Sequence, residues 1–160
     1  MANATPGYVP VFYAHDALYL FFRLHQHLYE RIAIAHQEAA VVQARKAAEA
    51  EANGTEPPAE PVLATFFAML YRLLEGALEP STYEDECRAL LGNNAYMLFT
   101  LDKLVFKLMK QMQALHNDEL SVKLLKLHAY ECARGAAFRD DVYHANVRAR
   151  WLTDAREIAG

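Results

Sequence analysis

Glycine and proline are scarce in this chain, six of each in 160 residues, and they gather at a few points. That spacing excludes a fold of many short strands joined by tight turns and favours long uninterrupted helices. There are only two cysteines, Cys87 and Cys132, and neither belongs to a Cys-x-x-Cys pair. A disulfide framework is excluded, and a reducing compartment is the simplest home. The N-terminus lacks a charged start followed by an apolar core, so no signal peptide is expected. The greasy stretch Ala17 to Leu24 is too short to cross a bilayer and contains Arg23. The sequon Asn53-Gly54-Thr55 is therefore expected to stay unmodified, in a soluble intracellular protein or a fragment of one. Positive charge is not in excess either: 16 basic against 20 acidic residues gives a formal charge of −4. A broad nucleic-acid surface needs a basic surplus. No direct nucleic-acid, membrane or small-molecule partner is expected.

What is abundant is apolar side chain, 54% of the chain against 22% charged, a globular balance. The length suits a single helical domain or domain fragment over 1–160. From Asp16 the chain runs without Gly or Pro to Gly54. On a helical wheel Leu18, Phe21, Phe22, His25, Leu28, Tyr29 and Ile32 share one face, and Asp16, Tyr19, Arg23, Gln26, His27 and Glu30 the other. Beyond His36 the Ala-Gln-Glu-Arg-Lys run keeps helix propensity but offers little to pack, and residues 53–61 read as a flexible Gly/Pro/Glu linker. A second helix should start at Pro61 or Val62 and end at Gly76, with Leu63, Phe66, Phe67, Leu70, Leu73 and Leu74 as its stripe. A short acidic helix over Thr82 to Leu91, a fourth from Ala95 to His116, a fifth capped by Asn117-Asp118, and a last one from Asp140 or Asp141 complete the pattern. The fold class predicted is all-α, a bundle of about five to six amphipathic helices with a long first helix.

Chemistry-bearing constellations are sparse. Glu84-Asp85-Glu86 sits in the first turns of a helix, where carboxylates complement the dipole. No Glu has a His three residues later, as a helical di-iron site requires, and no His-Glu-x-x-His occurs. His25 and His27 fall on opposite sides of one helix, and His25 reads as a hydrogen-bonded core residue. Nucleophile-elbow and phosphate-loop motifs are absent, and the carboxylates around Cys87 oppose a thiolate. No catalytic residue, metal site or cofactor is assigned, and the chain is expected not to be an enzyme.

In the fourth helix Met97, Leu98, Leu101, Leu104, Val105, Leu108, Met112 and Leu115 make a broad core face, with Lys103, Lys107 and Lys110 away from it. Phe99 and Phe106 stand two turns apart beside the lysines and need cover, from another helix of this chain or from a partner. Two stretches resemble a known family. Tyr19-Leu20-Phe21-Phe22-Arg23-Leu24-His25-Gln26, continuing to Leu28-Tyr29-Glu30-Arg31, is similar to an aromatic-rich helix of the switch-independent-three (Sin-type) transcriptional corepressors. Tyr83-Glu84-Asp85-Glu86-Cys87-Arg88, then Asn94-Ala95-Tyr96 and Phe99-Thr100-Leu101-Asp102-Lys103-Leu104, is similar to that family's next conserved stretch. The order matches, and the resemblance covers about Tyr8 to Ile158.

The resemblance implies the C-terminal conserved region of a paired amphipathic helix scaffold, nuclear, acting with the protein subunits of a histone-deacetylase corepressor complex. The paired amphipathic helix domains and the deacetylase-interaction segment are not visible, so a fragment of a longer scaffold is expected. Partner-binding candidates are Arg23, Gln26 and Glu30 on the first helix, and Tyr96, Phe99, Asp102, Lys103 and Phe106 on the later stretch. Arg23, Gln26 and Glu30 either pair within their helix or fix a neighbour, with Asp102 or Asp85 as partners for Arg23. The competing reading is a helical adaptor or coiled-coil module unrelated to chromatin, pairing through the Leu18-to-Ile32 face.

Overall fold

The computed structural model describes residues 11–56, 60–134 and 139–159, with side chains as far as Thr153. Six α-helices follow in order: α1 Asp16–Asn53, α2 Val62–Leu74, α3 Pro80–Leu91, α4 Leu101–Asn117, α5 Glu119–Ala133 and α6 Asp140–Ala159. A 3-10 segment, Asn93–Leu98, precedes α4. No strand occurs among the described residues, so the all-α class with a long first helix holds. The expected fourth helix from Ala95 is instead this tighter 3-10 turn followed by α4. The chain divides into two compact units, Arg23–Met109 and the combination of Met1–Phe22 with Lys110–Gly160.

The Arg23–Met109 unit is built on α2, whose Val62, Phe66, Met69, Leu70 and Leu73 are buried. Spacings of four, three, one and three residues put them on one helical face. Ala35, Ala39 and Val42 of α1, Tyr83, Cys87 and Leu91 of α3, Ala95 and Leu98 of the 3-10 segment, and Leu101 of α4 close the same core. The far part of α1 was expected to offer little to pack. Its small side chains are what permit close approach, and Gln43 Oε1 accepts the Val62 amide at 2.9 Å, satisfying one open N–H of α2. Gly54 and Gly76, at φ 64° and 74°, end α1 and α2. In each the following residue donates back one turn, Thr55 N–H to Ala50 O at 2.9 Å and Ala77 N–H to Arg72 O at 2.8 Å. This left-handed closure suits a residue without Cβ.

The other unit gathers Leu18 of α1, Leu115 of α4, Leu124 and Leu127 of α5, and Tyr143 and Val147 of α6, with Phe12, Tyr13 and Phe21 packed against them. Gln111 Nε2 donates to Ala17 O at 3.0 Å. Asp118 caps α5, accepting the Ser121 amide at 2.8 Å, as expected of the Asn117-Asp118 pair.

Candidate interaction surface

On α1 the buried line is Leu18, Leu24, Ala35, Ala39, Val42 and Ala50, with Leu28 and Ile32 packed partly against the core. Phe22, His25 and Tyr29, expected on the core face, are exposed instead, Tyr29 by 67%. Leu24, absent from the predicted stripe and one residue before His25, takes the inward position. Arg23, Gln26 and Glu30 do lie on the exposed side. Gln26 Nε2 donates to Glu30 Oε1 at 3.1 Å, and the His27 ring meets Glu30 Oε2 at 3.3 Å. The Gln26 bond, then the His27 bond, hold the Glu30 carboxyl below the usual carboxylate range, so it stays anionic. The α1 face thus carries a fixed anion beside an open aromatic ring.

The second stretch is held down where its motif residues meet the core. Tyr83, fully buried, donates its hydroxyl to Leu98 O at 3.3 Å. The Arg88 guanidinium stands 4.8 Å from the Phe99 ring centroid. Phe99 is half-buried against the core, so its cover is internal. Two residue pairs tie this stretch to α1: Arg31 Nη1 donates to Thr100 Oγ1 at 2.9 Å and to Thr100 O at 3.4 Å, and Asn94 Nδ2 donates to Glu38 Oε1 at 3.1 Å. Arg31 and Glu38 were not singled out as site residues. The signal was their seven-residue spacing, which places both on one side of α1.

What remains outward is Tyr96, exposed by 65%, with Met97, Lys103, Phe106 and Met109. Met97 and Met112, expected in the core face of the fourth helix, are exposed; the 3-10 segment turns Met97 away while Leu98 and Leu101 are covered. Asp102 is half-buried. Arg23 makes no ion pair with Asp85 or Asp102 among the described residues, and Asp85 is met by Arg88 at 3.4 Å. Phe106 is 45% exposed.

One cluster has the composition of a hydrolase triad: His15, Asp118 and Ser121. His15 Nε2 lies 2.7 Å from Ser121 Oγ and 3.1 Å from Asp118 Oδ2, and the Ser121 hydroxyl also meets Asp118. The Ala17 amide donates to His15 Nδ1 at 3.2 Å. With Nδ1 accepting, Nε2 carries the proton of the neutral ring, so it cannot take one from Ser121. The carboxylate sits on the wrong nitrogen for a triad, and Ser121 is fully buried. The cluster is a helix cap. Burial pushes the Cys87 thiol up to about 11, far from a thiolate nucleophile. Among the described residues no three His, Cys, Asp or Glu side chains converge as metal ligands, and no helix is long and apolar enough to cross a membrane.

Residues 12–157 match the family model for the C-terminal domain of Sin3a protein. The chain is 45% identical over 139 residues to Paired amphipathic helix protein Sin3-like 1 of Arabidopsis thaliana, covering 86% of this chain and 10% of that protein. To Sin3-like 6 of the same plant it is 46% identical over 137 residues, covering 85% and 11%. To Paired amphipathic helix protein Sin3b of Mus musculus it is 30% identical over 171 residues, covering 93% and 15%. The chain thus spans between a tenth and a sixth of the length of these relatives. By the extent of the match and the identity it keeps with plant and mouse proteins, the chain belongs to the family of Sin3a C-terminal domains.

Proposed function

We propose that the chain is a non-enzymatic scaffold segment of a nuclear transcriptional corepressor, holding protein subunits of a histone-deacetylase complex on the surface of its Arg23–Met109 unit. One observation carries the reading. Around a closed core, large apolar side chains stay open to solvent on elements that are otherwise well packed: Tyr29 on α1, Tyr96 on the 3-10 segment, and Phe106 and Met109 on α4. Exposed aromatic and methionine side chains on rigid helices are the anchors by which protein interfaces form. Beside them Arg23, Gln26 and Glu30, with Lys103 on α4, supply polar groups to orient a partner helix. Phe99 and Asp102 act from beneath: Phe99 supports the turn from which α4 starts, and Asp102 sits in its first turn.

The test is affinity purification of the tagged chain from nuclear extract, compared with the F106S and Y29S variants. Deacetylase-complex subunits are expected with the parent chain and reduced with both variants, which keep the parent's thermal unfolding. Recovery of unrelated cytoplasmic proteins alone would sink the proposal. So would deacetylase subunits that bind all three chains equally, because the surface named would then be the wrong one.

A further inference from the structure

A groove of about 660 Å³ runs between α5 and α6, in the unit that does not carry the surface described above. Lys123 and Lys126 stand on its α5 wall and Arg150 on its α6 wall, with Leu127 and Ala149 between them. Its one lining carboxylate, Glu131, is fully buried and held by Arg134 at 2.9 Å, so it is neutralised where it stands. Three arginines elsewhere are engaged locally, Arg45 with Glu49, Arg88 with Glu84 and Asp85, and Arg139 with Asp141. Lys123 itself reaches Glu119 at 3.2 Å. Lys126 has no carboxylate partner among the described residues and no acidic residue three or four positions away on either side, whereas Arg150 has Asp154 four positions on, a residue whose side chain lies outside the described ones.

We infer that this groove is a docking site for an acidic peptide segment of a partner protein, its carboxylates meeting Lys126 and Arg150 and an apolar side chain lying on Leu127 and Ala149. The charge selects the partner's sign, and the apolar strip selects peptide over a bare polyphosphate backbone. A nucleic acid would find three cations and a single ring, Tyr130, too little to offset the repulsion of a chain of net charge −4. The inference does not depend on the corepressor reading, since the groove and the Phe106 surface belong to different units.

The test uses the full chain and a fluorescein-labelled peptide alternating glutamate and leucine, followed by fluorescence anisotropy at low salt. Saturable binding below about 1 mM is expected, the range of a small charge-assisted contact. In K126E/R150E binding should weaken about tenfold, as each exposed charge pair is worth up to about a factor of five and reversal adds repulsion. K107E/K110E, with the same change of net charge on α4, should bind like the parent chain, and far-UV circular dichroism checks that both variants fold. Four results would overturn the inference: no binding, equal loss in both variants, tighter binding of a single-stranded oligonucleotide of matched charge, or dimerisation of the chain abolished by K126E/R150E.

Discussion

Removing one oxygen atom, in Tyr83→Phe, isolates the bond that ties α3 to the 3-10 segment. The ring is fully buried, so it keeps its packing and no cavity opens. What is lost is the hydroxyl bond to Leu98 O, at 3.3 Å longer than the usual O–H···O contact. A net hydrogen bond contributes about 0.5–1.5 kcal/mol, and a carbonyl left without its partner adds up to about 1–3. The length of the bond places the loss near the low end, about 1 kcal/mol. Urea unfolding followed by circular dichroism should show the midpoint falling by about 0.5 M at a slope near 2 kcal/mol/M, with the slope unchanged. A midpoint within about 0.1 M of the parent's would refute the bond as an anchor. The pH dependence provides a second reading. Burial, with the Cys87 thiol next to it, raises the Tyr83 phenol well above its ordinary value. The folded value exceeds the unfolded one, so this stability is whole below about pH 10 and is lost as pH climbs through the folded value. Tyr83→Phe should flatten that alkaline decline, while leaving the part due to Cys87. That thiol, pushed up to about 11, weakens the fold from about pH 8.5 upward.

Three further outcomes are expected. Asp118→Ala should cost about 1 kcal/mol by removing the α5 cap. Burial alone would raise the Asp118 carboxyl, but the Ser121 hydroxyl and amide and His15 outweigh it and leave the group below its ordinary value. Its contribution is therefore present above about pH 4 and fades as pH drops through the folded value, so acid titration of the variant should be flatter there. A chromogenic disulfide reagent should titrate one thiol in the folded chain, the exposed Cys132, and a second only in denaturant, because Cys87 is buried. Gly76→Ala should lower stability by about 1–2 kcal/mol, measured by thermal unfolding; a Cβ there meets nothing within 4 Å, so the whole cost is the backbone angle.

The start of α5 and both ends of α2 were legible because they are written in local chemistry, while the 3-10 break before α4 was not. Asp118 before α5, Pro61 before α2 and Gly76 after it act through bonds within a turn or two, which a sequence exposes directly. The face of α1 was not legible to the same degree. Leu18 through Ile32 carries apolar residues around more than half the helix, and a wheel ranks them without knowing which side is covered. Tertiary packing chose Leu24 over His25 and left Phe22 and Tyr29 outside. The contacts that hold the second motif stretch were not legible for a related reason. Tyr96 and Phe106 stand out as aromatics within and just after the motif, while Arg31 and Glu38, which hold that stretch in place, look on sequence like any solvated pair. Long-range bonds such as Arg31 to Thr100 leave no periodic trace.

The Arg31–Thr100 and Glu38–Asn94 pairs also limit how the chain can change in length. Arg31 holds Thr100, and Glu38, seven residues on, holds Asn94, six residues back, so the 94–100 stretch runs antiparallel along α1 like a strip fastened at both ends. A residue inserted between Asn94 and Thr100, or removed between Arg31 and Glu38, leaves only one fastening in register. Variants of different length should therefore survive outside this ladder and be purged within it, a constraint on insertions and deletions that no single substitution would reveal.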